Sequence, residues 1–253
     1  MRNILNEWLA AIEFLTRIPV PKYLRRPFDE RTVVRSVRWY PYVGLLLGAI
    51  LAGLSLFFFR WFPAGAAAVL LVVSGIALTG GLHLDGLMDT ADGLLSGRDR
   101  ERKLAIMKDS RVGSMGVIVF VSLFALKGSL LAALGSSHES LHFPILLLMP
   151  AIGRIAVVWA IAKYPPARAE GMGAMFAGRV DASQLVTAGL VIIFPIFFWL
   201  VKGLVILVIT CGFFLWYCRR VNQSLGGLTG DVYGAVCELT EVVFLLVCTV
   251  VLV

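Results

Sequence analysis

Pro41-Tyr-Val-Gly-Leu-Leu-Leu-Gly-Ala-Ile-Leu-Ala-Gly-Leu-Ser-Leu-Phe-Phe-Phe59 carries no charged side chain. As a helix it reaches nearly across the roughly 30 Å hydrocarbon core of a bilayer. Its apolar residues form an unbroken block, without the period of a half-buried strand or of a surface helix. Outward from it, similar blocks recur at about 64–83, 113–135, 143–162, 184–201, 203–218 and 233–253. The expectation is an all-α, polytopic transmembrane helix bundle of about seven spans, forming one membrane domain over residues 1–253. Composition agrees. Of 253 residues, 59% are hydrophobic and only 15% charged, and the mean hydropathy is +0.87, whereas soluble domains are about 45–50% apolar and about 25% charged.

Ahead of the first block, Ile4-Leu5, Trp8-Leu9, Ile12 and Phe14-Leu15 recur at helical spacing, with Asn3, Asn6, Glu7, Glu13 and Arg17 on other faces. This predicts an amphipathic N-terminal helix lying at the membrane interface. Glu7 and Glu13 interrupt the apolar core that a secretory signal peptide requires. Lys22, Arg25, Arg26, Arg31, Arg35 and Arg38 follow. If block 41–60 runs outward, the alternation puts 84–112, 163–183 and 219–232 on the inner side. Those segments hold Arg98, Arg100, Arg102, Lys103, Lys108, Arg111, Lys163, Arg168, Arg179, Arg219 and Arg220, whereas the outer connections keep little beyond Arg60 and Lys202. Lys and Arg concentrate in cytoplasmic loops. The net charge of +7 therefore reads as topology in a cell (inner) membrane, with no nucleic-acid partner. His138 and His142, in the outer stretch 135–142, read as solvated residues. Cys211, Cys218, Cys237 and Cys248 form no CxxC pair and have no neighbouring His, so neither zinc nor a disulfide framework is expected.

The chemistry concentrates in His83-Leu-Asp-Gly-Leu-Met-Asp-Thr-Ala-Asp-Gly93. Asp85, Asp89 and Asp92 recur at i, i+4 and i+7, which on a helix puts three carboxylates on one face. No Lys or Arg occurs between Arg60 and Arg98 to neutralise them. A hard divalent cation answers that charge, since Mg²⁺ prefers carboxylate oxygen and combines it with substrate phosphate and water. Downstream, Arg98, Lys108 and Arg111 offer cationic groups for phosphate oxygens, and Asp109 is a fourth acid in the same segment. Carboxylates for metal and guanidinium groups for phosphate are the pairing that phosphoryl transfer uses. Asp109 or one of the triad, Asp92 among them, is a candidate proton acceptor, with His83 a weaker one. A second acidic group, Asp231, Glu238 and Glu241, falls close to one helical face and reads as a second metal locus or a grip on polar substrate groups. Lys127 and Arg154 are its counter-charges if it is structural. The glycine-rich segment 169–181 reads as a connector or a substrate lid.

Together these residues resemble the cobalamin synthase family. The resemblance rests on Phe14-Leu-Thr-Arg-Ile-Pro-Val-Pro21, Thr79-Gly-Gly-Leu-His-Leu-Asp-Gly-Leu-Met-Asp-Thr-Ala-Asp-Gly93, Ile106-Met-Lys-Asp-Ser-Arg-Val-Gly113, the Glu170-Gly-Met-Gly segment, and Gly227-Leu-Thr-Gly-Asp231 with Glu238. It implies a Mg²⁺-dependent transferase that joins adenosylcobinamide-GDP to α-ribazole or its 5′-phosphate and releases GMP, with its active site facing the cytoplasm. A looser likeness to CDP-alcohol phosphotransferases lacks their Ala-Arg and their Asp spacing, and an ion-coupled transporter is the other alternative. The pairing of protomers into a homo-oligomer is left open by the sequence.

Overall fold

The computed structural model describes residues 2–21, 23–24, 29–137 and 139–252. Lys22, Arg25, Arg26 and His138 lie outside the described residues, as do the side chains of Asn3 and His142. The described residues are mostly helical, and the extended pairing among them is one bridge between Pro166 and Leu228.

Helix α1 (Arg2–Leu15) is amphipathic as expected. It buries Leu9, Ala11, Ile12 and Leu15 and leaves Ile4 and Leu5 exposed. Helix α2 (Glu30–Ser36), capped by the Asp29 carboxylate on the Thr32 N–H, leads through a 3₁₀ turn into α3 (Tyr40–Trp61). Helices α4 (Ala64–Thr79) and α5 (Leu82–Leu94) meet at 95°. Gly80 and Gly81 make that corner at φ +66° and +73°, a conformation costly for any residue with a Cβ. The Arg17 N–H braces the corner by donating to the Leu78 carbonyl at 2.7 Å.

A short α6 (Arg100–Ile106) precedes α7 (Ser114–Ser137) and α8 (Glu139–Lys163). The loop expected at 135–142 is therefore nearly absorbed by these two helices. Helix α9 (Met172–Phe176) lies in the glycine-rich segment, followed by α10 (Ala182–Gly189), α11 (Ile193–Leu225) and α12 (Gly230–Leu252). At the centre, α8 and α12 are the most enclosed helices, with Ile145, Leu148, Val158, Val236 and Phe244 fully buried.

Five stretches are long and apolar enough to cross a membrane, or six if the bent α4–α5 pair counts as one. This is a multi-pass membrane protein. Seven spans were expected, and the tally depends on how two bent stretches are divided. Helix α4, at 16 residues, is too short to count without its bent partner. Blocks 184–201 and 203–218 join in one stretch, Ala182–Leu225. That stretch breaks at Leu200 (φ 48°, ψ −120°), and Gly203 closes on the Pro195 carbonyl, so its two arms fold back on each other.

Candidate active site

Helices α5 and α12 touch backbone to backbone because each has glycine at the crossing. A Cβ on Gly86 would stand 2.6 Å from the Asp231 carbonyl oxygen, and one on Gly234 2.8 Å from that of His83. This pairing makes the helices antiparallel and lays Asp85 and Asp89 beside Asp231. The carboxylates of Asp85, Asp92 and Asp231 and the Arg168 guanidinium are all within electrostatic reach of Asp89. Arg168 Nη1 is 3.6 Å from Asp231 Oδ2, and its Nη2 donates to the Leu104 carbonyl at 2.8 Å. Thr229 caps α12: its hydroxyl accepts from the Val232 N–H at 3.3 Å and donates to Asp231 Oδ2 at 3.2 Å.

Asp92 is engaged elsewhere. Its Oδ2 accepts the Gly113 N–H and its Oδ1 the Gly116 N–H, both at 2.8 Å. It thereby caps the N-terminus of α7, where a carboxylate is favoured by otherwise unpaired N–H groups and the helix dipole. The helical spacing of the triad is real, but α7 takes the third acid while Asp231 joins the first two. The carboxylates of Asp85 and Asp89 accept no hydrogen bond from the described residues.

Among the described residues no group of three His, Cys, Asp or Glu side chains is gathered tightly enough to hold a metal by itself. The hard oxygens of Asp85, Asp89 and Asp231 do fit Mg²⁺, which takes one or two carboxylates and completes its octahedron with phosphate and water.

The basic segment divides. Arg100 donates to the Leu225 carbonyl (2.6 Å) and the Ala167 carbonyl (3.0 Å), and Lys103 donates to the Ser224 hydroxyl (2.8 Å). Both tie α6 to the end of α11. Arg98 and Lys108 are exposed. Arg111, also exposed, forks onto Asp109 through Nε at 3.0 Å and Nη2 at 2.7 Å. These bonds hold the Asp109 carboxyl down at about 2, making it a poor proton acceptor at neutral pH. No hydrogen bond among the described residues joins Arg98, Lys108 or Arg111 to the Asp85–Asp89–Asp231 group.

Glu238 and Glu241 part from Asp231 and turn into the bundle. Lys127 donates to Glu238 at 3.0 Å and also to Glu241. Arg154 donates to Glu241 and lies 3.2 Å from His83 Nδ1. Two cations thus meet two anions, which is how ionised groups are tolerated at such depth. His83 itself is buried.

Beside Asp85 and Asp231 lies a cavity lined by these two, by His83, Gly86 and Gly234, and by Phe14, Tyr40, Phe176 and Tyr233. Met172 and Phe176 bring the glycine-rich segment to the same cavity. Sequence reasoning did not single out Arg168 or the aromatic walls as site residues. The sole sequence signal for Arg168 was a base on the same side as the acids.

The family model described as cobalamin-5-phosphate synthase matches residues 7–249. The chain belongs to that family. Relatives named adenosylcobinamide-GDP ribazoletransferase are similar over nearly their full length. The protein of Brevibacillus brevis is 40% identical, covering 96% of this chain and 97% of its own. That of Desulforamulus reducens is 42% identical, covering 93% and 94%, and that of Escherichia coli 36% identical, covering 94% and 96%. No solved structure matches. Family membership does not favour the lipid-synthase and transporter alternatives.

Proposed function

We propose that this protein is an adenosylcobinamide-GDP ribazoletransferase acting at the α5–α12 crossing. A ribose hydroxyl of α-ribazole, or of its 5′-phosphate, attacks the phosphorus attached to cobinamide. One P–O bond forms, the bond to the GMP oxygen breaks, and GMP leaves. The observation that carries this reading is the junction of Asp85 and Asp89 with Asp231, beside Arg168, at the mouth of an apolar cavity.

Mg²⁺, when bound, would neutralise the diphosphate and ease departure of GMP. Asp85, Asp89 and Asp231 are the residues to hold it, the remaining ligands coming from phosphate and water. A carboxylate of the same group receives the hydroxyl proton. Arg168, fixed by the Leu104 carbonyl, presents its guanidinium to phosphate oxygens. Arg98 and Lys108, free on the surface, attract the anionic donor over a longer range. Such chemistry depends on positioning and electrostatics and needs no covalent nucleophile. We assign this face to the cytoplasm, since Lys and Arg concentrate on it, and the bilayer to the cell membrane.

The test is GMP release by the purified protein in liposomes, given adenosylcobinamide-GDP and α-ribazole with Mg²⁺ or with chelator. Release that requires Mg²⁺ is the expected result. A folded sample that releases no GMP sinks the enzyme reading; release undiminished by chelator sinks the metal.

A further inference from the structure

His83 lies one helical turn deeper than Asp231, since it faces Gly234 where Gly86 faces Asp231. Its Nδ1 is 3.2 Å from Arg154 Nη2. A guanidinium only donates, so Nδ1 is the acceptor and the ring proton sits on Nε2. Arg154 is held in turn by Glu241, and Glu241 by Lys127. The Nε2 atom has no hydrogen-bond partner among the described residues, and the ring, 5% exposed, borders the cavity. A side chain this buried, with its tautomer set by an arginine, one ring nitrogen unpaired and a cavity beside it, is placed to meet a ligand atom.

We propose that His83 binds the nucleoside acceptor, donating from Nε2–H to a neutral acceptor atom of it, with the flat base against the aromatic residues that line the cavity. This rests on the transferase reading above. The surroundings select the acceptor over the nucleotide of the donor. Asp85 and Asp231, as the residues to hold the metal, would keep the phosphates at their end of the cavity and leave the part beside His83 to an uncharged group. Guanine, with several polar edge groups, would find beside His83 only the hydroxyls of Tyr40, which is unpaired, and Tyr233, too few to replace its hydrogen bonds to water. A largely apolar bicyclic base with one ring-nitrogen acceptor, or a ribose hydroxyl, is matched by few donors among aromatic side chains. His83 is thus a substrate-binding donor, and proton acceptance falls to the carboxylates.

Two measurements test this. The protein has three histidines, so ¹⁵N-histidine spectra of the whole protein in detergent, with His83→Gln for assignment, resolve the His83 ring. A proton on Nε2 and a bare Nδ1 are expected; a proton on Nδ1, or on both nitrogens, overturns the proposal whether or not the sample turns over. Steady-state kinetics with each substrate varied then localise the contact. His83→Phe raises the KM for α-ribazole about tenfold, the loss of one hydrogen bond, and leaves the KM for adenosylcobinamide-GDP unchanged. His83→Gln, which restores an N–H donor, recovers most of the affinity. An unchanged KM for α-ribazole in both variants, or a rise confined to adenosylcobinamide-GDP, overturns it while wild-type turnover keeps the transferase reading intact.

Discussion

Four aspartates close in space differ in their work because their partners differ. Asp92 has both oxygens satisfied by the Gly113 and Gly116 N–H groups, so Asp92→Ala should act first on stability. Losing a charge-assisted cap costs about 2 kcal/mol, visible as a lower Tm in detergent. Asp89→Asn and Asp231→Asn remove groups that make no such cap, and each should lower kcat/KM for GMP release by about a hundredfold or more with Tm nearly unchanged. Equal loss of Tm in all three would show that the distinction is wrong. Asp109 gives the opposite case. Bonded to Arg111 in an exposed loop and held at about 2, it stays ionised across the neutral range. Asp109→Asn should therefore leave the pH profile of activity between about pH 5 and 9 in place, and a displaced acidic limb would return Asp109 to the proton-transfer step.

At the scale of elements, the site is a consequence of how closely two helices approach. Gly86 and Gly234 each stand where a Cβ would press on the other helix's backbone at under 3 Å. Backbone cannot retreat as a flexible side chain can, so Gly86→Ala must push α5 from α12 and separate Asp85 and Asp89 from Asp231. The expected outcome is about 1–3 kcal/mol of destabilisation with a larger fractional loss of activity than of folded protein. Gly53→Ala and Gly128→Ala are the controls, because a Cβ there meets nothing within 4 Å. Their Tm should stay within the shift expected of about 1 kcal/mol, with alanine favoured in the helix. The 95° corner at Gly80–Gly81 is the other element-scale device, since it turns α5 out of the line of α4 and towards α12.

Over the whole molecule, the buried charges link α5, α7, α8 and α12 through His83, Lys127, Arg154, Glu238 and Glu241. Glu241→Gln leaves Arg154 and Lys127 with one anion between them, and stranding a buried charge costs about 3–5 kcal/mol. Replacing Lys127 and Glu238 together by Met removes one cation and one anion and should be far better tolerated. Thermal unfolding of the single and double variants checks this; a double variant as unstable as Glu241→Gln would mean that the shape of the network, and not its charge balance, holds the bundle. The ends of the bundle can be read with an impermeant thiol reagent on a background lacking the native cysteines. Cysteines placed at Arg98 and Lys108 should react from the same side of the membrane and one at Lys202 from the other, since the chain folds back at Leu200.

The sequence by itself determined the solvent, the helical architecture and the family. Each of these follows from local properties: run length, residue type, charge bias and contiguous motifs. It also offered Lys127 and Arg154 as counter-charges for Glu238 and Glu241 in a structural role, beside the metal and substrate readings of those acids, because ionised groups inside a bilayer must pair. Only the tertiary structure decided the partition of the acids. Asp231 belongs with Asp85 and Asp89, while Asp92 belongs to α7, and Glu238 and Glu241 to the interior. Helical spacing says which side chains share a face of their own helix and nothing about which neighbour that face meets. That choice rests on glycine contacts between α5 and α12, two segments far apart in the chain, and no periodicity within either segment encodes it.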